Sequence, residues 1–250
     1  MSNSSLVVYT KISPNKTVNR NHVIDTITIH CMAGNLTIES CGNLFADSTR
    51  GASSNYGIGS DGRIGMYVEE KDRSWCSSSG SNDHRAVTIE VANDGGESTG
   101  WHVSDKAYNA LIDLVTDICR RNGIKQLLWR GDKSLIGQVD KQNMTVHRWF
   151  AAKACPGDYL YNLHGQIANQ VNARLGAPAV PDNNNNDSGA SYLVRVTADV
   201  LNIRKGPGTS YGIAGTIQDR GIYTIVQTEG NWGKLKSGAG WICLDYTVRV

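Results

Sequence analysis

The segment HRWFAAKACPG, His147 to Gly157, sets an imidazole, an ammonium and a thiol within eleven residues. No CxxC partner accompanies Cys155, so any chemistry of its thiol needs residues from elsewhere in the chain. His30 closes the apolar run VIDTITIH, and strand ends and loops are where rigid elements present ligands. His30, His147 and Cys155 together make an open set for zinc. Zinc takes imidazole nitrogen and thiolate at roughly 2.0 to 2.3 Å, and three protein ligands leave a position for water. Such an ion lowers the pKa of its water from about 15.7 to roughly 7 and polarises a carbonyl oxygen. Hydrolysis also needs a group that takes the water's proton and passes it to the leaving atom. Glu90, inside the apolar run VTIEV, is the candidate; its alternative is a solvent-facing strand carboxylate. Lys153 lies two residues from Cys155, so in an extended segment the two side chains share a side. An ammonium there could stabilise an oxyanion, although a lysine beside a helix start is commonly just exposed. A second chemistry would use Cys155 as a nucleophile paired with His147. His22, His84, His102 and His164 read as surface or satisfied core residues.

The whole chain bounds what this site can serve. Its 250 residues are 40% hydrophobic and 19% charged, with a net charge of +2. That balance argues against electrostatic nucleic-acid binding. Nothing approaches the ~18 consecutive apolar residues of a membrane span. The first residues, MSNSSLVVYTKISPNKT, lack a basic region followed by an apolar run, so no secretory signal is expected and the cytoplasm of the producing cell is the expected location before release. In that reducing compartment the six cysteines (31, 41, 76, 119, 155 and 243) are expected as thiols, at most one or two of them carrying chemistry.

Elements that position the candidates follow from pattern. Residues 23–30 and AVTIEVAN, residues 86–93, predict strands. TIESCGNLFADS predicts a helix. Asp61-Gly62 between two short apolar runs predicts a hairpin. Ser104 predicts an N-cap for a helix with Ala107, Leu111, Leu114, Val115 and Ile118 on one face, stopped by Gly123. LLWR predicts a short strand, and a last helix runs from about Asp158 to Arg174. Strands alternating with helices imply an α/β domain, a sheet covered by helices, over residues 1–175. GAPAVPDNNNNDSGAS, residues 176–191, is polar and proline-bearing, hence a linker. Residues 192–250 hold short apolar runs punctuated by Gly, Pro, Asn and Asp, which predicts a small all-β barrel.

TITIH, the SDGRI turn, VTIEVAN and the closing HxxxxxKxCPG, in that order, resemble the zinc-dependent N-acetylmuramoyl-L-alanine amidases. That superfamily includes phage lysozyme-type amidases and animal peptidoglycan recognition proteins, and the resemblance covers about residues 20–175. It implies a mixed β-sheet flanked by helices, one zinc on His30, His147 and Cys155, and catalytic roles for Glu90 and Lys153. It also implies bacterial peptidoglycan as partner, cut between N-acetylmuramic acid and L-alanine. Many members carry a tyrosine near the zinc, just ahead of the strand leading into the DG turn. Ser54 stands there, with Tyr56 on the other phase, which shifts the acid–base burden to Glu90. Asn93 and Tyr56 are candidates for touching substrate. Binding-only members typically lack the cysteine ligand, so Cys155 favours catalysis over a purely binding role. VTADVLNIRKGPGTSYGIAGTI and the GW pairs resemble bacterial SH3-like domains, which dock wall hydrolases on peptidoglycan. Tyr211, Trp232 and Tyr246 are candidates for that surface or for the barrel's core. A catalytic domain, a linker and a wall-binding module form the usual layout of a phage endolysin; a bacterial autolysin shares it.

Overall fold

Apolar residues alternate with threonine in TITIHC and AVTIEV, and these segments pair as the central strands Thr26–Cys31 and Ala86–Val91. The structure, a computed structural model, describes residues 2–178 and 192–250. The chain divides into two compact units, Met1–Asn183 and Asn184–Val250. Most of the expected linker lies outside the described residues.

In the first unit a six-stranded mixed sheet runs, edge to edge, Tyr9–Thr10, Ile64–Met66, Tyr56–Ile58, Ala86–Val91, Thr26–Cys31 and Met144–Val146. Only the hairpin pair Tyr56–Ile58 and Ile64–Met66 is antiparallel. Gly62 turns that hairpin at φ +84°, a conformation that favours glycine. Side chains alternate across the strands. Ile27, Ile29, Val87, Ile89 and Val91 enter one core with Leu111, Leu114 and Ile118 of helix α3 (Asp105–Asn122) and Ile167 and Val171 of helix α4 (Asp158–Leu175). Ser104 caps α3 by accepting from the Ala107 N–H at 3.2 Å, and Gly123 ends it at φ +72°.

Thr28, His30, Thr88 and Glu90 belong to the alternate phase of the same two strands. Helix α1 (Ile38–Ala46), with Cys41 and Phe45, packs with Tyr67 in a separate small cluster. Beneath His30 the Thr28 and Thr145 hydroxyls lie 2.7 Å apart, and Asn82 of helix α2 (Gly80–Arg85) bonds both. Buried polar groups are tolerated when bonded, and a satisfied network is rigid.

LLWR is not a strand. Leu127 exchanges two hydrogen bonds with the buried Asn172 amide, Leu128 donates to Asn143 Oδ1, and Arg130 donates to Gln142 Oε1. Side-chain amides supply most of the partners that a neighbouring strand would have supplied, so the apolar pattern is present without a ladder.

The second unit is a seven-stranded, all-antiparallel sheet. Its core is Val194, Val196, Leu201, Ile203, Ile217, Ile225, Leu235 and Ile242. Tyr211 and Tyr246 are exposed, and Trp232 is half-buried.

Candidate metal centre

Strand register assembles the site. His30 stands opposite Glu90 in the parallel pair, and Ile29 stands opposite Val146, so His147 follows directly beyond the strand next to His30. The two imidazole rings lie 5.1 Å apart between centroids, tilted by 57°. After His147 the chain turns back on itself: the Arg148 N–H donates to the Cys155 carbonyl at 3.1 Å, and its guanidinium pairs with Asp158 at 3.0 Å. Gly157, at φ +83°, completes the return. A Cβ there would stand 2.6 Å from Trp101 Cβ and 2.7 Å from the Gly100 carbonyl, so the CPG motif needs its glycine.

This return brings the Cys155 sulfur to 3.4 Å from His30 Nδ1 and to 3.4 Å from the Cys31 N–H, which donates to it. Ligand atoms of His30, His147 and Cys155 all lie within 4.8 Å of one another. In a tetrahedral zinc site the N···S edge is about 3.5 Å, from Zn–N and Zn–S bonds of about 2.05 and 2.3 Å. The donor set and its spacing therefore fit zinc.

Electrostatics agrees with that fit. Burial, then the neighbouring His147, lowers the His30 pKa to about 3, and burial also lowers that of His147. Both rings are thus neutral near pH 7, the form that binds metal. A hydrogen bond with Cys31, followed by burial and the Glu90 charge, raises the Cys155 pKa, so a cation must displace its proton. Burial first, and Cys31 second, raises Glu90 to about 8.

Glu90, His147, Lys153 and Cys155 line one pocket of about 580 Å³. Glu90 does not face open solvent: its Oε2 is buried without a partner, and the Cys76 thiol approaches its Oε1 at 3.8 Å. The exposed Lys153 shares the pocket with Cys155. Tyr56 and Asn93, the expected substrate contacts, lie elsewhere. Tyr56 is fully buried on the other phase of its strand, donating to Glu70 Oε1 at 2.7 Å. The Asn93 amide donates to the Trp101 carbonyl at 2.8 Å and ties a loop together.

Several site residues carried no sequence signal. Ser78 adopts φ +64°, unusual for a non-glycine residue, and holds its hydroxyl 3.0 Å from His147 Nε2. Cys31, Cys41 and Cys76 line the pocket together with Cys155. None of these has a motif spacing; only the fold gathers them. Tyr67 fills the space beside Gly57, the residue opposite Glu90, but its hydroxyl is committed to the Ile38 carbonyl at 2.7 Å.

The family model for N-acetylmuramoyl-L-alanine amidases matches residues 20–158. This chain belongs to that family. The match spans more than half of the chain and contains His30, Glu90, His147, Lys153 and Cys155. As a member, the chain is a hydrolase of the peptidoglycan amidase class. Among solved structures it is similar to PlyL at 16% identity, covering 66% of this chain and 96% of that one, with a TM-score of 0.49. It is similar to the Staphylococcus aureus hydrolase AmiA, in complex with its ligand, at 16% identity (67% and 82% covered, TM-score 0.48). It is also similar to the endolysin amidase LysCS of Clostridium intestinale at 18% identity (69% and 94% covered, TM-score 0.45). No curated protein matches the sequence.

Proposed function

We propose that this chain is a zinc-dependent amidase that cuts the bond between N-acetylmuramic acid and the L-alanine of the stem peptide, and so lyses bacterial walls as an endolysin or autolysin. The observation that carries the reading is the convergence of His30, His147 and Cys155 on one point, with Glu90 lining the adjoining pocket. When bound, zinc supplies a polarised carbonyl and a water whose pKa falls toward 7. His30 and His147 bind as neutral rings, and Ser78 holds the outer nitrogen of His147. Glu90 takes the water's proton and returns it to the leaving nitrogen. Lys153 donates to the oxyanion that develops on the former carbonyl oxygen. Arg50 and Arg73 line the same pocket and suit the carboxylates of a stem peptide.

A cysteine-nucleophile reading is disfavoured, because such enzymes lower their thiol's pKa and here it is raised. The second unit, resembling an SH3-like module, is proposed to dock the enzyme on peptidoglycan, with Tyr211 and Tyr246 as contacts. Co-sedimentation of Tyr211→Ala and Tyr246→Ala variants with purified walls tests this; wild-type retention by both would refute those contacts.

Digestion of purified walls tests the main reading. New alanine amino groups are expected. Reducing sugars or cross-bridge amines would overturn the proposed bond, and walls bound without any new ends would indicate a binding protein. A strong chelator should stop the reaction and zinc should restore it; full activity in chelator, lost on alkylation, would restore the thiol reading.

A further inference from the structure

A second set of donor atoms overlaps the first at His30. His30, Cys76 and Glu90 each offer an atom within 4.8 Å of the other two. Cys76 is held from behind: its N–H donates to Asp83 Oδ2 at 3.0 Å, and that carboxylate also takes the N–H and hydroxyl of Ser77. The thiol itself faces Glu90 Oε1 at 3.8 Å. Two buried atoms of the set, His30 Nε2 and Glu90 Oε2, have no hydrogen-bond partner. A buried polar atom left without a partner is destabilising, and ligation of a cation would satisfy both. Imidazole, thiolate and carboxylate are all zinc ligands.

We propose that His30, Cys76 and Glu90 form a second zinc position, exclusive of the first and hydrolytically silent. The proposal rests on the reading of His30, His147 and Cys155 as the catalytic set. Exclusion follows from His30, because a neutral imidazole has one lone pair to give. Silence follows from Glu90, whose carboxylate becomes a ligand and no longer carries protons. Charge separates the two positions. On loading, the ion displaces the Cys76 proton to solvent, and a divalent ion with one thiolate and one carboxylate is neutral. The catalytic set has only the Cys155 thiolate, leaving a net positive centre that is the stronger Lewis acid. A buried neutral centre is cheaper to desolvate than a charged one, so the silent position competes for the ion.

Titration of the metal-free full chain with Co²⁺ tests this, read by the near-ultraviolet thiolate-to-cobalt charge-transfer band. Wild type should bind one equivalent with the band present. Cys155→Ser should keep both the equivalent and the band, now from Cys76, while hydrolysing nothing. Adding Cys76→Ser should abolish the band and weaken binding by more than the roughly 10–100-fold that loss of an outer partner costs. Failure of Cys155→Ser to bind, or binding without the band in a folded protein, would overturn the second position. If Cys155→Ser does not fold, His147→Ala compared with His147→Ala/Cys76→Ser answers the same question: the band must weaken when Cys76 is removed, and an unchanged band refutes the proposal. Absence of the band in wild type would overturn the catalytic centre as well, which separates the two failures.

Discussion

Replacing Glu90 by glutamine should stabilise the metal-free protein, and increasingly so as pH rises. Burial first, and the Cys31 charge second, raises this carboxyl from 4.5 to about 8. Because the folded state holds the proton more tightly, the contribution is fully present below about pH 4.5 and is gone above about pH 8. At about 1.4 kcal/mol per pH unit, that gap bounds the loss at about 5 kcal/mol. The residue keeps some exposure although its Oε2 is buried, and relaxation and water entry screen the charge, so about 2 to 3 kcal/mol is expected. Glutamine keeps the shape and carries no charge to desolvate. Urea midpoints of metal-free wild type and Glu90→Gln, measured between about pH 5 and 8, should therefore diverge, the variant being more stable at the alkaline end. His30, lowered to about 3, contributes the opposite slope in both proteins, so the difference isolates Glu90. Added zinc should narrow the gap, since a cation attracts the carboxylate. Parallel curves across this range would refute the claim that the pocket penalises a charge at this position.

Lys153→Ala should lower kcat by roughly 100- to 1000-fold while leaving metal content unchanged, as loss of an oxyanion donor does; metal loss, measured by elemental analysis, would mean the ammonium has another role. Ser78→Ala frees His147 Nε2 and should weaken zinc affinity by about 10–100-fold in a chelator competition. Gly157→Ala must place a methyl 2.6 Å from Trp101 Cβ at φ +83°, so it should cost more than the roughly 1–2 kcal/mol of left-handed strain alone. A Tm equal to that of wild type would show that the return carrying Cys155 is laxer than its packing implies.

Much of this architecture was legible in the chain. Capping by Ser104, the stop at Gly123 and the Asp61-Gly62 hairpin are local chemistry, and each formed as its residues dictate. His30 and Glu90 were visible because a polar residue at the end of a β-branched run, or inside one, conflicts with its surroundings, and Cys155 because its thiol has no CxxC partner and stands close to a histidine and a lysine. Ser78 was invisible because its importance lies in a backbone angle and a contact 69 residues away. Cys31 and Cys76 were invisible because strand register brings the first to the pocket and a hydrogen bond to Asp83 holds the second there, neither of which spacing reveals. Tyr56 stands on the other phase of its strand, where the sequence had placed it, and its hydroxyl is spent on Glu70. The LLWR segment misled because apolar pattern reports burial, and burial was met without a strand partner.

The amide clamps on that segment have a consequence for how the enzyme tolerates variation. A backbone ladder survives almost any change of side chain, since its bonds belong to every residue alike. Here the stretch leading into the His147 strand is held to residues 126–132 largely through the amides of Gln142 and Asn143, both buried. Beyond the strand, Trp149 stacks on Trp129 at 5.1 Å. A single codon change at Asn143 would unpair the Leu128 N–H and the Gln126 carbonyl together, several residues from any ligand. The proposed metal site is thus exposed to genetic damage at positions that no inventory of its candidate ligands would contain.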